Sequence, residues 1–455
     1  METIEVSGKR VSDRHEFPTT KRKALTLHNH NRRFAMKKNE LTLSCGPMPK
    51  LIDAALPESK SIENRLLIMK ALAGVPFAAS NPGECDDTAV LRRALTCDCR
   101  DCRIDIGAAG TAMRFLTAYF AAKPDARITL DGSPRMRRRP IRILVDALRS
   151  CGADIGYEAE EGFPPLRIAG KPLRSGLPLD VQGDISSQYI SALMMIAPCM
   201  ETGLAIRLSG AVVSTPYIEM TAALMRKFGA RLDINSNEIR VDGTGYKPAT
   251  IDSEKDWSAA SYWYELKSLL PESEIRLHGL RADSVQGDKR IEEIFRLFSV
   301  DTVFDNDGAT LKTGNFPRVK SFALDLTKQP DLAQTIAVAA CLNGIPYRLT
   351  GLSTLKIKET DRIEALKSQL LKLGFIVESD ADCSLSWDGK HISPENMPEI
   401  ETFDDHRMAM AFAPATLRFP KIKICNPEVV AKSYPSFWQE LSKAGFKMEE
   451  EWKQL

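Results

Sequence analysis

The sequence predicts an α/β protein built from repeated units and folded as two or more domains. First, a chain of 455 residues is too long for one ordinary hydrophobic core. Second, a short strand ending in glycine, a loop and a helix recur along the chain. Third, the helices of these copies end at positions 74, 152, 229, 299, 374 and 445, which lie 70 to 78 residues apart. This spacing predicts six units, the first of them truncated at its front.

Each unit contains an amphipathic helix. The clearest copies span 127–158, 205–235 and 347–380, and weaker copies span 275–305 and 422–450. The truncated first unit keeps the helix of "ESKSIENRLLIMKALAG", whose apolar residues recur at helical spacing. Later units carry a second helix before the strand, which starts within "AAGTAMRFL", "ISSQYISAL", "DWSAASYW", "QPDLAQTIA" and "DDHRMAMAF". Such units must stack on their neighbours to bury their apolar faces.

The composition is typical of a globular protein, with 43% apolar residues, 27% charged residues and a net charge of +2. This balance indicates neither nucleic acid nor a membrane surface as a partner. The longest stretches without charged side chains, 185–200 and 332–347, are shorter than a membrane span and contain polar residues. Ten cysteines without a regular framework predict a reducing, cytoplasmic location.

Two segments stand apart from the repeats. Residues 1–38 are predicted to be a disordered extension, because the first 35 carry a net charge of +4 and no apolar periodicity, and Met36 is an alternative start. The second segment holds Cys97, Cys99 and Cys102. A structural zinc site usually takes four ligands and no fourth is evident, so the sequence predicts a polar loop and no metal.

Polar and charged residues concentrate where a loop meets a helix. Serine, threonine, aspartate and glutamine at such points can be simple N-caps. Capping does not explain lysine and arginine, because the start of a helix is already positive, so the recurrence favours a cavity for several anionic groups. Two domains would close such a cavity between them. The residues are Lys60, Ser61, Arg65, Gly110, Thr111, Arg114, Arg135, Arg138, Arg139, Ser186, Ser187, Gln188, Ser214, Tyr217, Gln286, Asp288, Asp331, Lys358, Glu359, Arg362, Asp405, His406, Arg407 and Lys432.

Two of these helix starts suit proton transfer. "KIKETDRIEAL" sets Glu359 between Lys358 and Arg362, and a carboxylate there can exchange protons if the site closes. The alternative is a solvated network of charges on a helix. "DDHRMAMAF" presents His406 and Arg407 at a helix start, which suits anion contact or proton transfer, although a lone histidine is usually structural.

Two loops suit anion capture. "GAAGTAMRFL" opens a helix with glycines, so its backbone N–H groups can approach a phosphate or carboxylate, but it matches neither a P-loop nor a dinucleotide fingerprint. "SPRMRRRP" holds four arginines between prolines and suits phosphate or carboxylate capture. The alternative is a nucleic-acid patch, which the lack of an accompanying aromatic stacking set disfavours.

Together these motifs resemble those of the 5-enolpyruvylshikimate-3-phosphate synthase family. The matching series, over about residues 40–450, is "ESKSIENR", "GAAGTAMR", "SPRMRRRP", "ISSQY", "VVSTPYI", "QPDLAQT", "KIKETDR", "DDHRMAM" and "AKSYPSF". The resemblance implies a two-domain inside-out α/β barrel of six βαβαββ units, three per domain, related by pseudo-threefold symmetry. It implies an N-terminal lobe at 59–253 on the shikimate 3-phosphate side. The C-terminal lobe, on the phosphoenolpyruvate side, would comprise 254–455 with 39–58.

The resemblance also implies an activity: transfer of the enolpyruvyl group of phosphoenolpyruvate to the 5-hydroxyl of shikimate 3-phosphate, on the route to chorismate and aromatic amino acids. It implies no cofactor, no metal and a monomer. The catalytic residues would be Lys60, Asp331 as base on the 5-hydroxyl, Glu359 as proton donor to the methylene carbon, and His406. Phosphoenolpyruvate would contact Lys60, Gly110, Arg135, Gln188, Arg362, Arg407 and Lys432. Shikimate 3-phosphate would contact Lys60, Ser61, Arg65, Ser186, Ser187, Gln188, Ser214, Tyr217, Asp331 and Lys358.

Three positions depart from the family's pattern. Ala108 and Thr354 stand where asparagine is usual, and Phe115 stands where proline often follows the arginine. These departures bear on substrate affinity and on the response to glyphosate. The related UDP-N-acetylglucosamine enolpyruvyl transferases share the fold but carry asparagine where this chain has Ser61. A third interpretation, an inactive metabolite-binding homologue, is disfavoured by the complete set of proton-transfer residues.

Overall fold

A computed structural model describes residues 40–97, 100–183, 186–210, 213–317, 319–380 and 383–451. The predicted extension at 1–38, and Cys99 of the cysteine segment, lie outside these ranges. The helices are α1 Lys60–Leu72, α2 Asp86–Thr96, α3 Gly110–Ala122, α4 Arg142–Ser150, α5 Ser187–Ile196, α6 Thr215–Lys227, α7 Trp257–Leu269, α8 Ile291–Ile294, α9 Ala333–Asn343, α10 Arg362–Lys372, α11 His406–Phe412 and α12 Phe437–Lys443. In these ranges no helix is long and apolar enough to cross a bilayer.

The strands alternate with the helices along the chain, which confirms the predicted α/β class. They are β1 Glu40–Cys45, β2 Leu51–Ala55, β3 Arg100–Asp105, β4 Arg127–Asp131, β5 Asp154–Tyr157, β6 Leu166–Ala169, β7 Leu179–Gln182, β8 Leu204–Ser209, β9 Leu232–Ile234, β10 Glu238–Val241, β11 Glu274–His278, β12 Val300–Asp305, β13 Gly308–Thr313, β14 Phe322–Asp325, β15 Tyr347–Thr350, β16 Glu378–Ser379, β17 Leu385–Trp387, β18 Glu399–Ile400, β19 Ile422–Cys425 and β20 Phe446–Glu451.

Five four-stranded sheets share one pattern of pairing. The strand orders are β3-β4-β6-β5, β7-β8-β10-β9, β2-β11-β13-β12, β14-β15-β17-β16 and β18-β19-β1-β20. In each sheet the first two strands are parallel and the remaining pairs are antiparallel. Each parallel pair needs a crossover, which a buried helix supplies. The sheets are therefore successive copies of one folding unit, as the repeat predicts.

The start of the chain completes sheets that belong to its later part. β1 takes the third position beside β19, with Glu40 opposite Cys425, and β2 lies parallel to β11. The sequence predicts six units, whereas five sheets are found in the described ranges. The truncated first unit supplies α1 and α2, and the described segments 75–85 and 242–253 contain no named strand. Pro, Gly and Ser occur in both segments, and these residues favour turns over strands.

The apolar side chains form two clusters. One cluster draws on residues between 62 and 241, and the other on residues 41–56 and 257–446. The central helices of each cluster are buried on nearly every face, as in α9, where every residue except Asn343 is buried. Helices that are apolar all round belong in a core, and the sheets cover them with one face towards solvent. We propose that these clusters are the cores of the two predicted lobes.

Two segments of chain run side by side between the clusters. The N–H of Ser59 donates to the carbonyl of Glu254 at 2.7 Å, and the N–H of Asp256 donates to the carbonyl of Pro57 at 3.0 Å. The buried amide of Gln286 joins both segments, because its Oε1 accepts from the Ser59 hydroxyl and its Nε2 donates to the Lys255 carbonyl. Residues 60 and 257 therefore begin their helices at one fixed junction.

Glu265, in the middle of α7, is fully buried, and neither carboxyl oxygen has a hydrogen-bond partner among the described residues. Burial raises the pKa of this carboxyl well above its ordinary value, so the folded protein keeps a proton that the unfolded chain loses. The stability that this proton contributes is complete below about pH 4 and is lost as the pH rises towards the folded pKa. We expect Glu265→Gln to raise the free energy of unfolding by about 1–3 kcal/mol near neutral pH. Urea unfolding between pH 4 and 8 measures this, and a gain that does not shrink towards pH 4 would contradict it.

Candidate active site

A cavity of about 370 Å³ is lined by residues between 60 and 217 and between 330 and 407, so the chain segments that form the two clusters both contribute to its lining. Fifteen of the seventeen residues predicted to act at the site line it: Lys60, Ser61, Arg65, Gly110, Ser186, Ser187, Gln188, Ser214, Tyr217, Asp331, Lys358, Glu359, Arg362, His406 and Arg407. Arg135 and Lys432 do not. The structure thus brings together residues up to 347 positions apart in the sequence. Their roles towards substrates stay predictions.

The starts of several helices converge on this cavity. The helices α1, α3, α5, α10 and α11 begin at Lys60, Gly110, Ser187, Arg362 and His406, all of which line it. Ser186 is an N-cap, since its hydroxyl accepts from the N–H of Gln188 at 3.4 Å. Ser214 makes no such bond and has a left-handed backbone with φ of 56°. Capping therefore explains only part of the polar lining, and the convergent N–H dipoles favour anions.

Lys60 contacts an acid that the sequence did not single out. Its Nζ lies 3.3 Å from Oδ2 of Asp87, a residue of the first turn of α2 that is 5% exposed. Burial alone would lower the pKa of Lys60, but Asp87 and Glu359 outweigh this and raise it. Lys60 is therefore a charged group in the unliganded cavity. In the sequence, Asp87 is marked only as one of two acids at a helix start. Such acids commonly stabilise a helix through its dipole, so this pattern does not indicate a site residue.

Arg65 is a buried cation that has no carboxylate partner among the described residues. Its guanidinium donates to the hydroxyl of Thr221 at 2.7 Å, to the hydroxyl of Ser191 at 3.2 Å and to the carbonyl of Ser61 at 2.7 Å. The ring of Phe115 lies 5.3 Å from it. Burial lowers the pKa of Arg65 to about 10, so it stays charged at neutral pH. An unneutralised charge in a closed cavity attracts an anionic ligand.

Asp331 lies at the centre of three cations. Oδ1 is 3.3 Å from Nζ of Lys358 and 2.9 Å from Nη1 of Arg362, and Oδ2 is 3.1 Å from Nη2 of Arg407. Burial would raise the pKa of the carboxyl, but the three cations outweigh burial and hold it well below its ordinary value. Asp331 is therefore an ionised carboxylate, which can accept a proton.

Glu359 is held by two cations. Oε2 accepts from Arg362 at 2.9 Å, and Oε1 accepts from Lys432 at 2.8 Å. Burial raises the pKa of Glu359, but Lys432 and Arg362 outweigh it and hold the pKa well below the ordinary value. In the unliganded cavity this side chain has no proton to give. The predicted role of proton donor therefore requires that a ligand first draws the two cations away.

His406 lines the cavity at the start of α11 and is 2% exposed. Burial, with Lys60 and Lys432 nearby, holds its pKa well below the usual value, so the imidazole is neutral at pH 7. Its Nδ1 has no hydrogen-bond partner among the described residues and lies 3.6 Å from Oδ1 of Asp405. A neutral ring can donate a hydrogen bond to an anion, but it does not supply the positive charge of an imidazolium.

The arginine loop contributes Arg139 to the lining, while the ligand role predicted for Arg135 stays a prediction. Arg135 is exposed on the rim and outside the lining, whereas Arg139 lines the cavity and is 9% exposed. Burial, with Arg114 nearby, lowers the pKa of Arg139 to about 10. Arg114 also lines the cavity and donates to the carbonyl of Gly110 at 2.9 Å. Two buried guanidiniums therefore share this wall.

Gly110 makes room for these two arginines. A Cβ atom at this position would lie 2.6 Å from Nη1 of Arg139 and 3.0 Å from Nη1 of Arg114. Gln188 also lies at this wall and donates to the hydroxyl of Thr111 at 3.1 Å. The glycine predicted for close approach of an anion thus sits where two guanidiniums and a helix start meet.

The three departures from the family's pattern occupy different places. Ala108 is exposed and outside the lining. Phe115 packs beneath Arg65. Thr354 lines the cavity, and its buried hydroxyl has no hydrogen-bond partner among the described residues. Of the three, Thr354 alone faces the cavity.

Among the described residues, one group outside the cavity could hold a cation: Glu40, Glu399 and Cys425 place possible ligand atoms within 4.8 Å of one another. Cys97 and Cys102 are both partly exposed, and the role of their segment stays a prediction.

Comparison with known proteins gives one consistent result. The 3-phosphoshikimate 1-carboxyvinyltransferase of Bacteroides fragilis is 50% identical over 392 residues, which cover 86% of this chain and 94% of the relative. That of Cellvibrio japonicus is 35% identical over 423 residues, covering 85% and 95%. The EPSP synthase structure from Acinetobacter baumannii superposes with a TM-score of 0.69 at 20% identity, covering 91% of this chain and 100% of that one. This likeness confirms the predicted fold.

The family model described as EPSP synthase (3-phosphoshikimate 1-carboxyvinyltransferase) matches residues 55–441, which include most of both hydrophobic clusters and every residue that lines the cavity. The chain therefore belongs to the EPSP synthase family.

Proposed function

We propose that this protein transfers the enolpyruvyl group of phosphoenolpyruvate to the 5-hydroxyl of shikimate 3-phosphate, giving 5-enolpyruvylshikimate 3-phosphate and phosphate. One observation supports this most strongly. A single cavity holds a set of buried cations around two ionised carboxylates, Asp331 and Glu359. The cations can bind two highly anionic substrates. Addition of a hydroxyl to the double bond of phosphoenolpyruvate needs one group that accepts the hydroxyl proton and one that donates a proton to carbon, and two carboxyl groups can supply both.

Shikimate 3-phosphate would bind the wall that carries Arg65. Arg65 supplies an unneutralised guanidinium, and the hydroxyls of Ser61, Ser187 and Ser214 line the same cavity. Tyr217 stays protonated, because burial and Asp288 raise its pKa well above the ordinary value, so it can donate to an anion. The remaining proposed contacts are Lys60, Ser186, Gln188, Asp331 and Lys358.

Phosphoenolpyruvate would bind beside Gly110, with Arg135 as predicted from the sequence and with Arg139, which lines the cavity there. Lys60 and Gln188 line that wall, and Arg362 and Arg407 approach it from the other cluster. Lys432 is not a lining residue, but its Nζ donates at 2.8 Å to Oε1 of Glu359, which is one. We propose that bound phosphoenolpyruvate recruits Lys432 from this ion pair.

Addition would begin when the carboxylate of Asp331 accepts the proton of the 5-hydroxyl. The hydroxyl oxygen then forms a bond to C2 of phosphoenolpyruvate, and the π electrons of the double bond take a proton from Glu359 at C3. Elimination reverses the proton transfer at C3: Glu359 removes a methyl proton, the double bond forms again and the C2–O bond to phosphate breaks. The departing phosphate takes the proton that Asp331 holds, which restores both carboxylates. The cations around both carboxylates stabilise the charge that develops at each stage.

Glu359 can serve as acid and base because its ion pairs depend on the ligand. In the unliganded cavity, Lys432 and Arg362 hold its pKa low. A bound phosphate or carboxylate competes for these cations and adds negative charge nearby, and both effects raise the pKa of Glu359. Substrate binding would therefore be coupled to proton uptake at this residue.

We further propose a monomeric enzyme, because fifteen of the seventeen predicted site residues of a single chain meet in one cavity. A cytoplasmic location is supported by ten cysteines that show no regular disulfide framework in the sequence.

Phosphate release tests the proposal directly. We expect release from phosphoenolpyruvate with shikimate 3-phosphate, and none above background with UDP-N-acetylglucosamine as the acceptor. Formation of the enol ether product should match the phosphate released, mole for mole. Release with UDP-N-acetylglucosamine alone, or with neither acceptor, would overturn the assignment.

A further inference from the structure

Gln286 uses its whole side-chain amide at the junction of the two adjacent chain segments. Its Oε1 accepts from the hydroxyl of Ser59 at 2.9 Å and from the N–H of Trp257 at 3.1 Å. Its Nε2 donates to the carbonyl of Lys255 at 2.8 Å and to Oε2 of Glu254 at 3.1 Å. An amide accepts two hydrogen bonds and donates two, so all four positions are filled. Gln286 is 8% exposed and lies outside the cavity lining, so its amide serves the junction and not a substrate.

The first turn of α1 begins directly from this junction. The carbonyl of Ser59 accepts from two N–H groups of the turn, at 3.1 and 2.8 Å. The N–H of Lys60 donates to Oδ2 of Asp256 at 3.3 Å, while Oδ1 of the same carboxylate accepts from two N–H groups of the first turn of α7, at 2.7 and 3.1 Å. One carboxylate therefore satisfies the starts of two helices, which belong to different clusters.

Ser59 is held from outside its own helix. It is fully buried and stands at the N-cap position of α1, where a serine hydroxyl ordinarily accepts from a helix N–H. Here the hydroxyl caps none of the described N–H groups of α1, and it donates to Gln286 instead. The position of Lys60, the next residue, is therefore set by the loop that follows β11, more than 200 residues away in the sequence.

We infer that Gln286 is a positioning residue: it joins the two chain segments and so holds the start of α1, with Lys60 and Ser61, at a fixed place in the cavity wall. This inference rests on the proposed function, which assigns both residues to the substrates. A group that acts on reacting atoms must be held closely in position, so loosening its backbone lowers kcat more than it lowers substrate affinity.

Turnover of Gln286→Met, measured well below the unfolding temperature of the variant, tests the inference. Methionine fills a similar volume, but its sulfur is only a weak acceptor and it has no donor. We expect kcat to fall about tenfold, with the KM for either substrate raised by less than about threefold. Gln369→Met is a matched control, because Gln369 is also a buried amide, at 2% exposed, and its Oε1 accepts from the N–H of Glu401 at 2.9 Å outside the cavity lining. This control should lose stability but keep kcat within about twofold of the wild type.

Two kinetic results would overturn the inference. One is a kcat of Gln286→Met within about twofold of the wild type. The other is an equal fall of kcat in Gln369→Met, which marks a general effect of lost stability. Should the methionine variant fail to fold, Gln286→Glu takes its place, because it keeps the acceptor for Ser59 and Trp257 but sets a carboxylate against Glu254 and the Lys255 carbonyl. The same fall of kcat is expected there, and the same two results would contradict it.

Hydrogen exchange gives a measurement that does not depend on turnover. In Gln286→Met, the amides of residues 60–63 should exchange faster than in the wild type, while those of α3 should be unchanged. Equal exchange at 60–63 would refute the positioning role even in a protein with no transferase activity. Conversely, an inactive wild type with faster exchange in the variant would refute the proposed function alone.

Discussion

Glu359→Gln is expected to lower kcat by about 10³-fold and to leave the affinity for both substrates within about threefold. Glutamine has nearly the same shape and can still accept a hydrogen bond from Arg362 or Lys432, but it cannot exchange a proton at neutral pH. Rapid-quench measurement of a single turnover and calorimetry of binding separate the two effects. Glu364→Gln is a matched control, because Glu364 is exposed on α10 and pairs with Lys367.

Proton uptake on binding provides a second measurement for the same residue. The free carboxyl has a pKa well below its ordinary value, so it is ionised between pH 6 and 8. If substrate draws away its cations, the folded-state pKa rises and the complex takes up a proton. Calorimetry in buffers of different ionisation enthalpy should find less uptake in Glu359→Gln than in the wild type. Equal uptake in both, or full turnover of the variant, would remove Glu359 from the mechanism.

The site could be predicted to a large extent because its residues share one local signature. Lysine, arginine and serine at helix starts are visible in the sequence, and the fold converts helix starts into cavity walls. The second helix of the later units was also predicted, and in α9, one of these helices, every residue except Asn343 is buried.

The features of the site that the sequence did not predict have physical causes that lie outside local sequence. The loop "SPRMRRRP" holds four arginines, and spacing alone cannot tell which one faces inwards. The turn at 136–138 directs Arg139 into the cavity and leaves Arg137 to pair with Asp131 at 2.7 Å on the surface. The low pKa of Glu359 depends on Lys432, which is 73 residues away. Asp87 could not be identified because acids are common in the first turn of any helix.

The membership of strands in sheets could not be predicted from local sequence either. The repeat spacing correctly indicates a recurring α/β unit, but spacing along the chain does not say which sheet a strand will join. β1 joins β19 and β20, near the other end of the chain, and the truncated unit contributes helices without a named strand in the described ranges. Pairing between distant strands is set by tertiary packing, which no short stretch of sequence reports.

Arg65→Met is expected to raise the dissociation constant of shikimate 3-phosphate by at least about 100-fold, since a buried charge-assisted contact to an anion is worth a few kcal/mol. The same substitution should leave the unliganded protein at least as stable as the wild type. The wild-type guanidinium is desolvated without a carboxylate partner among the described residues, which is a cost of folding that methionine removes. The hydroxyl of Thr221 would not be orphaned, because it also donates to the carbonyl of Tyr217 at 2.7 Å.

Arg92→Met provides a control with the opposite expectation. Arg92 is also buried, at 6% exposed, but it pairs with Glu84 at 2.8 Å and with Glu63 at 3.7 Å, outside the cavity lining. Its loss leaves two carboxylates without their cation and should cost about 2–3 kcal/mol of stability, with ligand affinity kept. Thermal unfolding with and without shikimate 3-phosphate measures both quantities for both variants. If Arg65→Met lowered stability as Arg92→Met does, and bound ligand within about threefold of the wild type, Arg65 would be a structural residue. The expected result is the opposite: Arg65→Met loses affinity for shikimate 3-phosphate and keeps its stability. The buried charge of Arg65 then serves ligand binding and lowers the stability of the protein without ligand.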